Sequence, residues 1–365
     1  MRAVYIHIPF CKHICSYCDF CKLYYNKQFV NNYLKSLRKE IESNYKGEKI
    51  KTLYIGGGTP SCLDISELNI LMEIIKIFNM EKDFEFTFEC NIENIEKNKM
   101  EILYKNNVNR LSIGVETFNS KHLSFLERNH SEKEVFSKID MAKKIGFGNI
   151  NIDLIYALPN QTIDELKKDL SLFLQLGIKH ISTYSLIIEP HTKLYINNIH
   201  NIDDQLDSDM FNTIKQTLEN NNYIHYEISN FAIKGYESRH NLTYWNNLEY
   251  YGFGLGASGY VDNVRYDNTK SLNRYLEGKY CYSKEEIDRK TKIENELILG
   301  FRKLKGINKE NFYNKYRMNI SSILSVKKLI EEGKLIDDGE NVYIKEDNIY
   351  LSNEILINFI GEENE

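Results

Sequence analysis

Three cysteines raise the first chemical question: Cys11, Cys15 and Cys18 stand at x3 and x2 spacing in the phrase IPFCKHICSYCDF. Thiolates this close together can share one inorganic centre, and three of them suit a four-iron cluster whose fourth iron stays open to a small molecule. Two other readings compete. One is a zinc knuckle, which would enlist Cys21 or His13 as a fourth ligand, and the other is a chance crowd of buried thiols. A second phrase, Gly56-Gly57-Gly58-Thr59-Pro60, follows the strand-like LYI. Glycines at such a turn bare backbone N–H and C=O groups to a closely approaching ligand.

For these phrases to meet, strand ends must be held side by side. Short β-rich runs alternate with helical periodicity as far as about residue 228, the pattern of repeated βα units around a parallel sheet. Strands are expected at 4–8, 52–55, 85–89, 110–115, 151–155 and 180–185, with helices near 28–45, 66–78, 96–106, 131–145, 163–176 and 204–221. Six such units give an α/β fold, either a doubly wound sheet or an incomplete barrel, and both put chemistry at the C-terminal strand ends. The cysteine loop follows the first strand and the glycine phrase the second, while Glu89, Glu116 and Asp153 fall at the ends of the third, fourth and fifth. Residues 223–266 are rich in Gly and aromatics and are expected to form a strand plus ordered loops capping the sheet. From about 291 the helices near 292–303, 309–316 and 321–332, with a hairpin around 335–344, resemble a small winged-helix tail. The expected organisation is a core over 1–228, a cap and connection over 229–290 and a helical domain over 291–365.

Composition removes several partners. With 47 basic against 52 acidic residues the net charge is −5, so no global attraction to nucleic acid or anionic membrane is expected. Lys303, Lys305, Lys309 and Lys315 in the tail are interleaved with Glu294, Glu296, Glu310, Glu331 and Glu332, the pattern of a solvated helical face. No apolar run approaches the ~18 residues that span a bilayer, and the chain enters its first strand without a cleavable leader, so a cytoplasmic location is expected. There, an odd set of seven Cys reads as metal or catalysis before disulfides.

The combination of the three-cysteine loop, Tyr17 beside Cys18 and the glycine phrase resembles the radical S-adenosylmethionine superfamily. The phrases YIHIPFCKHICSYCDF, YIGGGTPS, RLSIGVETFN, ERNHS, NINIDLIYALPNQT, HISTYSLIIEP, HYEISNFA and SRHNLTYW narrow it, in order over about residues 4–266, to the oxygen-independent coproporphyrinogen III oxidase-like branch. The resemblance implies a partial (β/α)6 barrel, a [4Fe–4S] cluster on Cys11, Cys15 and Cys18, and S-adenosylmethionine bound at the open iron for one-electron cleavage. Carried over phrase by phrase, the cofactor contacts fall on Tyr5, Tyr17, Gly57, Gly58, Thr59, Glu89, Glu116, Arg128 and Asp153. Taken singly, each of these charges would read as a surface or capping residue.

Within the branch, the features resemble HemW-type heme chaperones more than the decarboxylating oxidases. The first strand opens at Val4, the cluster loop ends Cys18-Asp19-Phe20, and His240-Asn241-x2-Tyr244-Trp245 matches the HNxxYW phrase of that type, with Trp245 the single Trp. The resemblance implies binding of heme, its delivery to a heme-accepting protein, and an electron donor such as flavodoxin or ferredoxin. His240, His7 and His225 are candidate axial ligands. The alternative is a radical enzyme that decarboxylates porphyrinogen propionates. Two departures bear on ligands: Glu116 replaces the usual Gln of GVQSF, an acceptor for an amide, and Ala257-Ser258 lacks the usual intervening His. Cys21 and Cys90 are expected to pack as small hydrophobes.

Overall fold

The computed structural model describes residues 2–361. Six βα units form its core: β1 (Arg2–Ile8), α1 (Lys27–Asn44), β2 (Ile50–Gly57), α2 (Ile65–Ile75), β3 (Met80–Asn91), α3 (Lys97–Lys105), β4 (Arg110–Glu116), α4 (Glu132–Ile145), β5 (Asn149–Tyr156), α5 (Ile163–Gln175), β6 (His180–Ser185) and α6 (Asp204–Glu219). The helices start where the sequence provides caps. Asp64 with Glu67, Ser131 with Glu134 and Thr162 with Glu165 each close a reciprocal capping box that satisfies backbone N–H groups at the first turn. β1 to β6 pair in parallel, each with the next, so all six C-terminal ends meet on one side. Apolar residues of the strands' outward faces, such as Leu53, Ile55, Leu111 and Ile113, are sealed under the helices. The inward faces carry Thr52, Thr87, Ser112, Asn151 and Ser182, all buried, so the inside of the barrel is polar.

Residues 223–268 do more than cap. They contribute β7 (Ile224–Glu227), β8 (Asn230–Ala232), α7 (Arg239–Trp245), β9 (Tyr250–Phe253), β10 (Ser258–Val261) and β11 (Val264–Asn268), and β12 (Cys281–Glu286) follows. The twelve-stranded sheet runs β12-β11-β10-β9-β1-β2-β3-β4-β5-β6-β8-β7. β8 lies antiparallel on β6, whereas β9 lies parallel on β1. The expected strand and loops are thus corrected to strands on both edges of the sheet. They are only three to six residues long and broken by turns, which leaves too few alternations for periodicity to register. Among the described residues the two ends of the sheet do not pair with each other, so the barrel is open, and α7 lies on the connection from β8 at one flank to β9 at the other.

The tail holds helices Arg289–Gly300, Lys309–Tyr316 and Leu324–Glu331, then strands Leu335–Asp337 and Asn341–Ile344 paired antiparallel, with Ile307–Asn308 as the third strand. That is the winged-helix-like arrangement expected. Among the described residues no helix is long and apolar enough to cross a membrane.

One buried carboxylate joins the core to the added edge. Glu40 of α1, 2% exposed, accepts hydrogen bonds from Gly254 N at 2.9 Å, Asn268 Nδ2 at 2.6 Å and the Tyr275 hydroxyl. Burial pushes its carboxyl up to about 7. A raised carboxyl favours the folded state while protonated; its contribution is complete below the unfolded value near 4.5 and is lost as pH rises through 7. Glu40→Gln should therefore lose less stability than the parent chain between pH 5 and pH 8 in urea denaturation. Glu40→Ala strands two buried N–H donors and should cost about 3 kcal/mol.

Candidate functional site

The thiol loop is closed at its base by backbone pairing. Phe10–Cys11 runs parallel to Leu23–Tyr24, with Leu23 N donating to Pro9 O at 2.6 Å and Tyr25 N to Cys11 O at 2.9 Å. Its far side is anchored by Ser16, whose N–H donates to Leu126 O at 3.3 Å and whose Oγ donates to Phe125 O at 2.9 Å. Cys11, Cys15 and Cys18 line one wall of a cavity of about 460 Å³ inside the barrel. Thr59 Oγ1 lies 3.4 Å from Cys11 Sγ and Arg128 Nη1 lies 3.8 Å from Cys15 Sγ, donors placed to stabilise negative charge on sulfur. Without a metal, burial holds the Cys11 thiol up at about 11 and raises Cys15 and Cys18 as well.

The zinc reading needed a fourth ligand. Cys21 does not line the cavity and packs against Gly256, while His13 is 62% exposed and turned toward Glu127 at 3.6 Å. Among the described residues no group of His, Cys, Asp and Glu converges on a single-ion point. Three sulfurs spread along one wall fit a multi-iron centre with one iron left open.

The glycine phrase is held against the thiol loop by Gly58 N to Ile8 O and Thr59 N to Phe10 O, both 2.9 Å. A Cβ on Gly56 would lie 2.7 Å from the Glu89 carboxylate, and one on Gly58 would lie 2.8 Å from the Pro9 carbonyl carbon and 3.0 Å from Cys11 Sγ. Gly57 is in the left-handed region at φ +117°, and a Cβ there would meet the His7 ring at 2.6 Å.

Around this corner the strand ends deliver charge. Glu89 accepts from Tyr54 Oη at 2.6 Å and Gly57 N at 3.0 Å, and burial pushes it up to about 7. Asp153 accepts from Asn151 Nδ2 at 2.9 Å and is also raised by burial. Arg128 donates from Nη2 to Gly114 O at 2.6 Å, while its buried Nε has no partner. Glu116 ends β4 at φ +68°, where the pairing with β5 slips between Gly114 and Glu116, and its side chain lines the cavity. Its Oε1 accepts from Tyr17 Oη at 3.0 Å and lies 3.9 Å from Arg128 Nη2. Burial raises this carboxyl and so favours its protonated form, which can donate as an amide does. The departure from Gln is smaller than the residue names suggest.

The structure brings Tyr17, Gly57, Gly58, Thr59, Glu89, Glu116, Arg128 and Asp153 together with the three thiols on one cavity. Tyr5 is not among its lining residues; its hydroxyl bonds to His7 Nδ1 at 3.0 Å. The heme-ligand candidates His240 and His7 are both engaged within the protein. His240 is 1% exposed, with Nδ1 on Thr52 Oγ1 at 2.9 Å and Nε2 on Tyr244 Oη at 2.8 Å. His7 Nε2 bonds to Cys21 O at 2.7 Å, and His225 stacks on Phe231. In this arrangement the first two offer no free nitrogen to iron, and none of the three lines the cavity. Sequence reasoning missed Tyr54, Arg110 and Asn241, which do line it. Arg110 had a signal, a charge opening a strand whose next residues, Leu111 to Val115, carry none; Asn241 had only the phrase it sits in.

Comparison with known proteins gives a consistent picture. The model of the Radical SAM superfamily matches residues 5–173, and that of the HemN C-terminal domain matches residues 287–350. The chain is 39% identical over 370 residues to the heme chaperone HemW of Lactococcus lactis, covering 98% of this chain and 97% of that protein. It is 37% identical to the heme chaperone HemW of Bacillus subtilis, covering 99% and 100%. Among solved structures, coproporphyrinogen III oxidase (HemN) from Escherichia coli superposes with a TM-score of 0.87 at 22% identity, covering 98% of this chain and 90% of that one, a likeness of fold.

The glycine geometry makes a direct prediction. Gly58→Ala adds a methyl group against Pro9 and Cys11, overpacking that costs about 1–3 kcal/mol. After anaerobic reconstitution its iron content should fall well below the parent's while far-UV circular dichroism is unchanged. Full iron content would mean that the two loops have slack.

Proposed function

The chain belongs to the HemW family of the radical S-adenosylmethionine superfamily, and on that footing we propose that it binds heme and passes it to an acceptor protein, with a [4Fe–4S] cluster and S-adenosylmethionine as its resident groups. The observation that carries this reading is the end-to-end similarity to two heme chaperones, at 39% and 37% identity. The cavity supports it, because the chain's own residues fit both groups. Cys11, Cys15 and Cys18 hold the cluster, and Thr59 and Arg128 hydrogen-bond to its sulfur ligands. When bound, the cluster supplies one electron to the sulfonium of S-adenosylmethionine. Gly57, Gly58 and Thr59 give that molecule a backbone surface free of side-chain bulk, while Glu89 and Asp153 are acceptors for its ammonium or ribose hydroxyls. Arg128 and Glu116 close the far side. Tyr5 acts through His7, which buttresses the left-handed turn at Gly57.

The acceptor is a heme-requiring protein, and reduction of the cluster falls to a one-electron donor of the flavodoxin or ferredoxin kind. Nucleic acid is not a partner, a reading supported by the net charge of −5. All seven cysteines are free thiols, which suits the reducing cytoplasm as the working compartment. The decarboxylating reading has the shared fold behind it and no feature of this cavity that favours it over the chaperone.

Anaerobic reconstitution followed by titration with ferric protoporphyrin IX tests the proposal. One heme per chain is expected, with no protoporphyrinogen formed from coproporphyrinogen III and reductant. Absence of stoichiometric uptake defeats the chaperone reading, and turnover of the porphyrinogen establishes the enzymatic one. Cys15→Ala should lose the cluster's visible absorbance.

A further inference from the structure

Deep in the barrel lies a cation that none of these roles uses. Arg110 opens β4, at the end of the strands opposite the thiols, and Glu116 at the other end of the same strand is about 20 Å away at the usual strand rise. The residue is 1% exposed, yet it lines the same cavity as the cysteines. Its bond from Nη1 to Thr87 Oγ1 is long, 3.5 Å, and its buried Nε has no partner. Among the described residues no carboxylate oxygen comes within the 4.0 Å of an ion pair. A buried guanidinium left this way is unfavourable, and folding alone gives no return for it.

Its surroundings keep it the cation of that level. Burial, aided by the Arg110 charge, pushes His240 down to about 3 and His180 well below its ordinary value, so both rings stay neutral. Glu89 and Asp153 face the same space; burial raises both carboxyls, and the Arg110 charge pulls both the other way without reaching ion-pair distance. The cavity wall also carries neutral Asn151, Ser182 and, from α7, Asn241; Asn151 Nδ2 already donates to Ser112 Oγ and Asp153, and Ser182 Oγ to Asn151 Oδ1. Toward the thiol end the lining mixes apolar Ile155, Leu186, Ile187 and Phe20 with polar Asp19, Ser185 and Glu189. Ile187 and Phe20 are each 63% exposed.

We infer that Arg110 is the receptor for a carboxylate of the guest, and, resting on the heme reading above, that this carboxylate is a heme propionate. The methionyl carboxylate of S-adenosylmethionine is the other available source, but chelation to the open iron keeps it at the thiol end of the strands. A guanidinium meets a carboxylate through two parallel N–H bonds, and Nε with one terminal nitrogen supplies that pair.

The test compares ferric protoporphyrin IX with its dimethyl ester on the reconstituted full chain, by Soret titration, with S-adenosylmethionine affinity measured in parallel. The parent should prefer the free acid by about tenfold or more. Arg110→Gln should bind acid and ester alike, at the ester's level, with iron content and S-adenosylmethionine affinity unchanged; Arg110→Lys, which keeps the charge, should retain part of the preference. Because the acid–ester comparison on the parent needs no variant, it stands even if Arg110→Gln fails to fold. Equal binding of acid and ester by the parent, or an undiminished preference in Arg110→Gln, overturns the assignment. So does a variant that loses S-adenosylmethionine affinity and keeps the acid preference, which would give the carboxylate to methionine. If the parent binds neither porphyrin, the heme reading itself has failed and this assignment falls with it, an outcome distinct from equal binding.

Discussion

Two backbone hydrogen bonds, Gly58 N to Ile8 O and Thr59 N to Phe10 O, bind the thiol loop to the glycine loop, and the rest of the site is arranged around that seam. They require bare backbone on one side, which is why a Cβ at Gly58 would collide with Pro9 and Cys11. They also require β1 and β2 to be parallel neighbours in register, because Ile8 faces Gly57 only in that pairing. A parallel sheet then obliges every later strand end to arrive on the same side. Glu89, Glu116 and Asp153 are brought there by topology, although nothing local in their sequence draws them together.

The second theme is charge kept inside a buried space. The barrel's outer strand faces are apolar under the helices, while its inner face is lined by Ser, Thr, Asn, three carboxyls and two arginines. Burial raises the carboxyls toward neutrality and drives His180 and His240 to the uncharged form, so the interior holds fewer charges than its composition suggests. What remains is asymmetric. Arg128 stands at the thiol end within 4 Å of a carboxylate, and Arg110 stands at the floor without one.

The HNxxYW phrase takes on a structural meaning in this setting. Backbone N–H groups of Arg239 and His240 donate to Glu85 at 3.0 and 2.9 Å, and the His240 ring joins Thr52 to Tyr244, so α7 is fastened across the lower strands. Trp245 lies under the guanidinium of Arg302, 5.4 Å from its ring centroid, at the start of the tail. The phrase therefore joins floor to tail, and Asn241 is the member that meets the cavity.

The sequence by itself determined the six βα units, their boundaries within about three residues except at β3, which starts at Met80 against an expected 85, and the identity of the thiol and glycine phrases. Strong alternation, capping residues and cysteine spacing are local properties that survive without coordinates. It could not determine which edge of the sheet residues 223–268 would join, because strands of three to five residues carry little periodicity and their pairing is non-local. Nor could it show the surroundings of the candidate ligands His240 and His7, whose burial and two hydrogen-bond partners apiece are features of the folded chain. Arg110 was legible only as an odd charge at the start of an apolar strand. Tertiary structure alone decided that this charge lines the cavity with its Nε unpartnered, because the cost of a buried guanidinium depends on what surrounds it, and its surroundings come from elements distant in sequence.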